Sequence, residues 1–409
     1  MKDLILICDK YPYDVFLENE LPYLNKYFKN VYIFSDENKK IHNYKTIPNQ
    51  RRKLKSLFSL FKIKYFRLIK NEIKKYYQQK KNRKIISIIY YIIIYLLRSM
   101  NFYINFKNAL MAQNINIENC IVYHYWMNHT CLSTILYKNK YKKKYLILTR
   151  VHGYDLYFEV NKYNYIPFRN IIYDEIDYIS FISNKGMNYF IEKNNIKTSY
   201  NSKLIINYLG VKKGELFLDS KTKKNYFTIV SCSSIIKVKR IDLIIKTLAS
   251  INDKNISWYH IGDGLEKERI LDFAKRHLDN KSNITYSFLG KLSNTEVLEL
   301  YRNINIDLFI NLSDSEGIPQ AIMEAFSYGI PVIACNVGGV SEIVDNNING
   351  ILLPYKPEIN LIREAIEKFI KMDLEIFKNY KINAYDKWES TFNSDNNYKK
   401  FVKFLISLK

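Results

Sequence analysis

The stretch 311–354 constrains the fold most, because strand and helix signals alternate there over a short length of chain. Just before it, residues 307–312 form a short apolar run that is typical of a buried strand. Residues 318–328 carry apolar side chains at helical spacing, and Gly329 closes this helix where a residue of free φ is needed. Residues 330–335 form the next apolar run. A strand, a loop, a helix and a second strand predict a parallel α/β sheet.

The loop between this first strand and the helix carries the candidate chemistry. Such loops lie at the carboxyl ends of strands, where doubly wound sheets bind ligands. Gly317 lets a ligand approach the backbone, and the first N–H groups of the helix favour an anion. Glu316 precedes the helix, and Glu324 lies about 9 Å along it if the helix begins near Ile318. The two carboxylates can therefore meet the two ends of an extended ligand with phosphates between its hydroxyls, such as a nucleotide sugar.

The pieces SEGIPQAIMEAFSYGIPVIA and GG-x-x-EIV resemble the retaining glycosyltransferases of family 4, the group 1 type with the GT-B fold. The mark of that family is a pair of glutamates separated by seven residues, here Glu316 and Glu324. The resemblance implies that Glu316 contacts the donor sugar and that Glu324 contacts the nucleotide ribose. It places Gly317, Ile318 and Pro319 in the donor-binding loop. The alternative is a purely structural strand crossover with two solvated acids.

Two further segments extend the predicted donor site. Residues 227–234 predict a strand and 240–249 an amphipathic helix, and the family carries an Arg and then a Lys on the turn between them, both binding the diphosphate. Lys239 matches the Lys, whereas Ser234 stands where the Arg is usual. Strands are also predicted at 256–261 and 284–289, with a helix at 265–278. The resemblance places Gly290 and Lys291, which follow the last of these strands, beside the nucleobase.

The first half of the chain predicts strands at 4–8, 31–34, 121–126, 145–150, 179–182 and 203–208. The segment TRVHGYDLYFE resembles the interdomain loop of the same family, whose His approaches the donor sugar; that residue is His152. Arg150 either serves an acceptor phosphate or pairs with a carboxylate. Asp155 and Trp126 are assigned to the acceptor. The run YHYW that ends at Trp126 either lines an acceptor pocket or packs in the core. The family's glycines after the first strand are missing, so no role is carried over to Asp14.

Charge is concentrated in one segment. The formal net charge is +23, and residues 51–84 contain fourteen Lys or Arg against the single acid Glu72. The apolar run 85–97 that follows is shorter than the roughly 20 residues that span a bilayer. One reading of this run is a buried helix. The other is that residues 51–97 form a basic, aromatic face that contacts an anionic membrane surface or attracts a lipid diphosphate acceptor. No nucleic-acid recognition motif accompanies the charge, so no nucleic-acid partner is predicted.

The sequence predicts neither a disulfide framework nor a metal site. The five cysteines form no close pairs, which favours structural thiols in a reducing cytoplasm. No Asp-x-Asp pair and no zinc-type spacing of His and Cys occurs, so we expect a metal-independent enzyme without a cofactor. The first residues show no signal-peptide pattern. A cytoplasmic protein, peripheral on the inner face of the plasma membrane, is the expectation.

The predicted architecture is α/β of the GT-B type, with two Rossmann-like domains facing across a cleft. The expected domains are an acceptor domain at 1–206, a nucleotide-sugar domain at 207–385, and a helix at 386–409 that crosses back to the first domain. The expected activity is transfer of a sugar, with retention, from a UDP- or GDP-linked donor to a lipid-linked or glycan acceptor. The resemblance suggests bacterial surface polysaccharide synthesis, capsule or lipopolysaccharide. A non-catalytic subunit that binds nucleotide sugars is the alternative, motivated by Ser234 and the altered first loop.

Overall fold

The structure, a computed structural model, describes residues 2–8, 15–35, 45–48, 63–79, 85–196, 202–218 and 226–408. The chain divides into two compact units. The N-terminal unit comprises Met1–Ile182, Gly186–Asn207 and Lys399–Lys409, and the C-terminal unit comprises Ser183–Lys185 and Tyr208–Tyr398. Each unit is an α/β structure with its own parallel sheet.

The N-terminal sheet is parallel throughout. Its strands are β1 (Asp3–Ile7), β2 (Val31–Ser35), β3 (Lys45–Pro48), β4 (Cys120–His124), β5 (Leu146–Val151), β6 (Tyr178–Phe181) and β7 (Leu204–Ile206). Their order in the sheet is β3-β2-β1-β4-β5-β6-β7, and Leu4 of β1 lies between Val31 of β2 and Ile121 of β4. Strands buried on both faces need near-continuous apolar sequence, which is why these runs were visible in the sequence.

Helices cover both faces of this sheet. They are α1 (Val15–Tyr27), α2 (Ile63–Gln79), α3 (Ile85–Ala112), α4 (His129–Tyr141), α5 (Arg169–Glu175) and α6 (Asn184–Lys193), the last of which begins in the C-terminal unit. One core cluster includes Ile69 of α2 and Ile92 of α3, and the other includes Leu21 of α1. Two clusters that share one sheet but no residues are the expected result of a sheet covered on both faces.

The C-terminal unit repeats the architecture with six strands. They are β8 (Phe227–Cys232), β9 (Ile256–Ile261), β10 (Ile284–Phe288), β11 (Leu308–Asn311), β12 (Val332–Cys335) and β13 (Gly350–Leu353). The helices are α7 (Ile241–Ala249), α8 (Lys267–Leu278), α9 (Asn294–Asn303), α10 (Gln320–Ser327), α11 (Val340–Ile343), α12 (Ile359–Lys371), α13 (Leu374–Lys387) and α14 (Ser394–Ser407), which continues into the N-terminal unit. The strand order is β10-β9-β8-β11-β12-β13, and all pairs are parallel.

Both sheets have the Rossmann strand order. Counted within each unit, the order is 3-2-1-4-5-6, with one added strand in the N-terminal sheet. The connections therefore reverse direction between β1 and β4 in one sheet and between β8 and β11 in the other. Ligands bind such sheets in the crevice outside the carboxyl ends of the strands at the reversal. In the C-terminal unit that crevice is formed by the segments that follow Cys232 and Asn311.

The apolar run predicted at 85–97 belongs to a longer helix than its length suggested, since α3 continues to Ala112. Within the described residues, one segment, Ile86–Ala112, has the length and hydropathy of a membrane span, and 39% of its most apolar window is buried. A single segment of this kind is weak evidence, because the core helix of a folded unit passes the same test. One face of α3 is such a core face, with Ile88, Ile92 and Leu96 fully buried.

The C-terminal tail joins the N-terminal unit later than expected, at Lys399 rather than at residue 386. Trp388 is the physical reason, because it is fully buried in the C-terminal unit and its Nε1 donates to the Val211 carbonyl at 3.2 Å. Beyond the boundary, Phe401 packs in the N-terminal core, with its ring centre 5.4 Å from that of Tyr123. The tail is therefore part of the folded N-terminal unit.

Truncating Phe401 tests this role of the tail. Because the side chain is 1% exposed, Phe401→Ala leaves a cavity and should destabilise the N-terminal unit by about 3–5 kcal/mol. Urea denaturation followed by circular dichroism measures the change. The neighbouring exposed Lys400→Ala is the matched control and should change stability by less than ~0.5 kcal/mol. Equal midpoints for the two variants would contradict the packing role of the tail.

Candidate functional site

Lys239 and Glu316 meet at the strand-order reversal of the C-terminal sheet. Lys239 ends a short 3-10 turn after β8, and Glu316 lies on the loop after β11. The Lys239 Nζ donates to Glu316 Oε1 at 2.7 Å, and the side-chain amide of Asn311 donates to the same oxygen at 3.1 Å. The two loops are also joined through the backbone, since the Asp314 N–H donates to the Val238 carbonyl at 2.8 Å. The side chains of Lys239 and Glu316 are 21% and 9% exposed, so solvent or a ligand reaches the pair from one side.

A pair of glycines holds the backbone of the Glu316 loop from behind. Gly338 has a φ of +51°, and a Cβ there would lie 1.7 Å from the Glu316 carbonyl oxygen. The next residue, Gly339, donates its N–H to the Gly317 carbonyl at 2.6 Å. By contrast, a Cβ on Gly317 would meet no heavy atom within 4 Å. One side of the loop is therefore packed on glycines, whereas the Gly317 backbone is open to a ligand.

The helix after this loop begins later than predicted. It starts at Gln320, with Pro319 as its N-cap in an extended conformation (φ −74°, ψ 112°), so the prediction of a start near Ile318 is wrong. The side chains of Ile318 and Pro319 are buried. With the later start, Glu324 lies in the second turn, about 6 Å along the axis rather than 9 Å. The C-terminal end agrees with the prediction, because Gly329 has a φ of +64°.

Glu324 lies in a buried polar pocket that the sequence only partly revealed. Glu324 is 4% exposed, and its Oε1 accepts hydrogen bonds from Gln320 at 2.7 Å and from Asn294 at 2.5 Å. Burial raises the pKa of this carboxyl to about 7, although the two hydrogen bonds oppose the shift. Asn294 was not predicted, and its only sequence signal is its position at the start of the helix after β10. Near neutral pH the Glu324 carboxyl group is therefore ready to gain charge when a ligand donates hydrogen bonds to it.

The position of the missing arginine is exposed and is not filled by its neighbour. Ser234 is exposed on the turn after β8. Arg240, the nearest Arg along the chain, donates to Asp314 at 3.1 Å and lies 3.6 Å from a carboxylate oxygen of Asp242. Its charge is already balanced by these two acids. Lys239 is therefore the cation of this turn that is presented together with Glu316.

Gly290 and Lys291 lie at the carboxyl end of β10, two strands away from β8 in the sheet. Gly290 has a φ of +71°, and its carbonyl accepts a hydrogen bond from the Gly262 N–H at 2.8 Å. A Cβ on Gly290 would meet nothing within 4 Å, and Lys291 is exposed. The backbone of this turn is thus accessible along the same sheet edge as Glu316.

In the N-terminal unit, Arg150 pairs with a carboxylate, which is the second of the two alternatives for this residue. Its guanidinium donates to Glu20, and both side chains are fully buried. The guanidinium also lies 4.5 Å from the centre of the Phe401 ring. Burial of this pair means that the charge of Arg150 is neutralised inside the unit.

Asp155 holds two loops together. Its two carboxylate oxygens accept backbone N–H groups from His152 at 2.8 Å and from Met127 at 2.9 Å, and the residue is 2% exposed. Burial raises the pKa of this carboxyl to about 6. The buried Arg169, which the sequence did not single out, donates to the Asp155 carbonyl. These bonds fix the loop after β5 against the loop after β4, and they favour a positioning role for Asp155 over direct acceptor contact.

The run 123–126 divides into core and surface. Tyr123, His124 and Tyr125 are fully buried, and the two ring nitrogens of His124 bond to Thr130 at 2.9 Å and Thr134 at 2.8 Å. Trp126 is half-buried instead, with its ring centre 4.0 Å from that of His152. Burial, and then the charge of Arg150, lower the pKa of His152 well below its usual value, so its imidazole is neutral.

The remaining site predictions are not decided by this geometry. Asp14 and much of the basic segment, residues 51–62 and 80–84, lie outside the described residues. Within the described part of the chain, no group of three or more His, Cys, Asp or Glu side chains is arranged to hold a metal ion. The role of His152 toward a donor sugar, the base contact of Gly290 and Lys291, and the acceptor role of Trp126 stay predictions.

Comparison with known proteins identifies the class. Residues 213–387 match the family model described as glycosyl transferases group 1. The chain is 25% identical over 301 residues to N-acetyl-alpha-D-glucosaminyl L-malate synthase of Bacillus anthracis, covering 71% of this chain and 74% of that protein. It is 26% identical over 230 residues to the O-antigen biosynthesis glycosyltransferase WclY of Escherichia coli, covering 52% and 60%.

Among solved structures, the chain resembles HepE of Anabaena in complex with UDP and glucose, with a TM-score of 0.65, 14% identity and full coverage of both chains. This likeness shows the fold, and the α/β GT-B prediction with two Rossmann-like units is confirmed. The match to the group 1 glycosyltransferases lies within the C-terminal unit, as the sequence predicted, and it supports a glycosyltransferase. Assignment to family 4 in particular is consistent with these matches and stays a prediction.

The glycine pair behind the loop gives a first test of this site. Gly338→Ala should destabilise the C-terminal unit by about 1–3 kcal/mol, because the new Cβ would collide with the Glu316 carbonyl at a positive φ. Gly317→Ala is the matched control and should leave stability within ~0.5 kcal/mol, since its Cβ enters open space. Urea denaturation measures both. A stable Gly338→Ala variant would show that the Glu316 loop does not depend on this packing.

The raised pKa of Glu324 predicts a pH-dependent stability. The folded pKa, about 7, is above the ordinary value of 4.5, so the stabilisation is fully present below about pH 4.5 and is lost as pH rises through 7. Glu324→Gln removes the titration while keeping an acceptor for Gln320 and Asn294. The free energy of unfolding of the native protein minus that of Glu324→Gln should fall by roughly 3 kcal/mol between pH 4.5 and pH 8.5. A difference that is the same at both pH values would contradict the buried, protonated carboxyl.

Proposed function

We propose that this chain transfers a sugar from a nucleotide sugar to an acceptor hydroxyl and retains the anomeric configuration. The observation that carries the proposal is the meeting of Lys239 and Glu316 beside the open backbone of Gly317, at the strand-order reversal of the C-terminal sheet. A diphosphate needs a cation, and a sugar needs a hydrogen-bond acceptor for its hydroxyls. The Lys239–Glu316 pair offers both within one hydrogen-bond distance, and HepE, which shares the fold, is a complex with UDP and glucose.

The roles follow the order of the loops along the sheet edge. Lys239 binds the donor diphosphate as a compact charge, and the N–H groups at the start of α10 add to the positive potential. Glu316 accepts from the sugar hydroxyls, and Glu324, in its pocket with Gln320 and Asn294, accepts from the ribose diol. Neutralisation by Lys239 and by backbone dipoles requires no metal, so transfer should continue in the presence of a chelator such as EDTA.

The proposed reaction breaks one C–O bond and forms another. The bond between the anomeric carbon and the diphosphate oxygen breaks, and the acceptor oxygen forms its bond to the same carbon on the same face. The departing nucleoside diphosphate takes the electron pair of the broken bond and the proton of the acceptor hydroxyl. No protein side chain becomes covalently bound, so the C-terminal site has to orient the donor and stabilise the charge that develops on the leaving phosphate.

Titration calorimetry with uridine, UDP and GDP tests the diphosphate role. Lys239→Met should weaken binding of whichever diphosphate binds by about 10–100-fold, because a charge-assisted hydrogen bond is lost, and it should change nucleoside binding little. Lys237→Met, an exposed lysine on the same turn, is the control and should bind as the native protein does. Equal weakening of nucleoside and diphosphate by Lys239→Met would show that Lys239 does not contact the phosphates.

The same titrations separate an enzyme from a binding subunit, the alternative that Ser234 motivates. Glu316→Gln should retain diphosphate binding within about threefold and lose the release of free nucleotide from a nucleotide sugar, because only the sugar contact changes. Free nucleotide is measured by chromatography after incubation with UDP- and GDP-sugars. Tight binding by the native protein without any nucleotide release, with an acceptor extract present, would support the non-catalytic alternative.

We further propose that the N-terminal unit contacts an anionic membrane surface, where a lipid-linked acceptor resides. Helix α2 exposes Arg67, Lys70 and Lys74 on the side opposite its buried residues. Phe66 of α2 is 61% exposed, and Ile86 and Tyr90 of α3 are 84% and 63% exposed. Basic and apolar side chains exposed on adjacent helices suit the interface of an anionic bilayer, where each cation contributes about 1 kcal/mol. The surface fits reversible attachment, and a localisation at the inner face of the membrane follows from this proposal.

Vesicle flotation tests the membrane surface. The native chain should float with vesicles of phosphatidylcholine and phosphatidylglycerol, remain in solution with phosphatidylcholine alone, and be released by about 0.5 M salt. Combined Arg67→Glu, Lys70→Glu and Lys74→Glu should abolish flotation. The same reversal at three exposed lysines of α14 (Lys399, Lys400 and Lys403) is the control and should not. Flotation that is indifferent to lipid charge would contradict this proposal.

A further inference from the structure

The turn after β8 continues the hydrogen-bond ladder between β8 and β9. The Ser233 N–H donates to the Ile261 carbonyl at 2.9 Å, and the Ile235 N–H donates to the Asp263 carbonyl at 3.0 Å. Successive N–H groups of an extended chain point to opposite sides, so the Ser234 N–H between these two points away from β9. Since β8 lies between β9 and β11 in the sheet, this N–H points to the side of β11.

The Ser234 N–H is left without a partner on that side. The pairing of β8 with β11 ends early, at Val230 and Phe309. Beyond this pair lies the crevice in which Lys239 meets Glu316. Ser234 is exposed, and among the residues that the structure describes its N–H has no hydrogen-bond partner. A backbone donor is therefore presented to the crevice on the same turn as Lys239.

A buried histidine lies behind this turn. His260 is fully buried, its Nδ1 lies 2.9 Å from Ser231 Oγ, and Trp258 Nε1 donates to the same oxygen at 3.0 Å. Because the indole N–H can only donate, the Ser231 hydroxyl accepts from it and has its own proton left for Nδ1. Burial lowers the pKa of His260 to about 4, which keeps the imidazole neutral. A neutral ring that accepts at Nδ1 carries its proton on Nε2.

The Nε2–H of His260 faces the Ser233 carbonyl. An added Cβ on Gly262, whose φ is +146°, would lie 1.8 Å from the Ser233 carbonyl oxygen and 3.4 Å from His260 Nε2. Glycine at 262 leaves this space to the two groups. The Ser233 carbonyl also opposes the fall in the pKa of His260, as an acceptor for the ring proton does. Within the described residues, Nε2 makes no hydrogen bond of ordinary length and angle, so this carbonyl is the acceptor that lies beside it.

This contact orients one peptide group. A trans peptide is planar, and its C=O and N–H point in opposite directions. A Ser233 carbonyl held toward His260 therefore directs the Ser234 N–H into the crevice. Position 234 is also the one at which the family resemblance leads us to expect an arginine for the donor diphosphate.

We propose that the backbone N–H of Ser234 binds the diphosphate beside Lys239, in place of the missing arginine, and that His260 is the residue that positions this N–H. An N–H that donates to a phosphate oxygen makes a charge-assisted hydrogen bond and adds no net charge, so Lys239 remains the cation of the turn. The serine at 234 then changes how the diphosphate is held without removing the site. This inference deepens the proposed donor site and rests on it.

Titration calorimetry with two variants of residue 234 tests the N–H. Ser234→Pro removes the backbone N–H, whereas Ser234→Ala removes only the side chain and is the reference. The proline variant should bind UDP or GDP, whichever the native chain binds, about tenfold or more weakly than the alanine variant, and the two should bind the corresponding nucleoside equally. Equal diphosphate affinities for the two variants would overturn the inference.

Nuclear magnetic resonance of the native chain gives a readout that does not depend on how the proline variant folds. The chain is labelled with ¹⁵N-serine, and the Ser234 amide signal is the one missing from the spectrum of Ser234→Ala. This signal should move downfield when the nucleoside diphosphate binds and should stay in place with the nucleoside. An unmoved Ser234 signal at saturating diphosphate would contradict the contact.

A pair of variants at His260 tests the positioning role. The amide nitrogen of His260→Gln takes the place of Nε2 and keeps a donor for the Ser233 carbonyl, whereas the shorter side chain of His260→Asn reaches only the place of Nδ1. The asparagine variant should bind the diphosphate about fivefold more weakly than the glutamine variant and should lose the downfield shift of Ser234. Equal affinities and equal shifts for the two variants would show that His260 only fills the core.

The outcomes separate this inference from the proposed function. A native chain that binds UDP or GDP without a shift of the Ser234 amide would retain the proposed donor site and lose the role of Ser234. A native chain that binds neither diphosphate would contradict the proposed function, and the inference would fall with it.

Discussion

The reversal of strand order between β8 and β11 is the constraint on which the donor site depends. Chain connections leave these two adjacent strands in opposite directions, so the loops at their carboxyl ends diverge and leave a crevice. Lys239 and Glu316 are 77 residues apart in the sequence and meet in this crevice at 2.7 Å. Gly338 and Gly339, which follow β12, then fix the Glu316 backbone from behind. Three consecutive segments of one sheet edge therefore contribute the cation, the acid and the support.

The carboxyl edge of the N-terminal sheet is built differently. Its charges are buried and used to position backbone: Arg150 with Glu20 below the sheet edge, and Asp155 with the N–H groups of His152 and Met127. Tyr154, whose ring centre lies 4.7 Å from that of Trp126, reaches the surface, whereas His152 is buried. The two sheet edges therefore differ, because Lys239 and Glu316 are partly exposed in the C-terminal unit, whereas Arg150 is paired and fully buried in the N-terminal unit.

Local sequence patterns predicted most of the strands, and long-range contacts explain what they missed. Strands such as β9 and β11 are apolar because both faces of a parallel sheet are buried, which makes them visible in the sequence. The short edge strand Lys45–Pro48 carries little of this signal and was missed. The helix start at Gln320 was misplaced because periodicity cannot show that Pro319 adopts an extended cap conformation.

The candidate site shows the same division between local signal and tertiary contact. The resemblance identified Glu316, Glu324 and Lys239, because each of them lies in a continuous segment of sequence that matches a motif of the family. Asn294 beside Glu324, and Glu20 beside Arg150, were not, since these partners are 30 and 130 residues away. The same limit applies to Tyr154, whose stacking on Trp126 depends on two loops that follow neighbouring strands.

The central claim is that Lys239 contacts the diphosphate of a nucleotide at the β8–β11 crevice. Acylation of lysine amines, quantified residue by residue by mass spectrometry, measures it directly in the native chain. A bound nucleoside diphosphate should slow the modification of Lys239 at least about tenfold and leave the nearby exposed Lys237 unchanged. Equal modification rates for Lys239 with and without saturating UDP or GDP, in samples where calorimetry shows binding, would contradict the account.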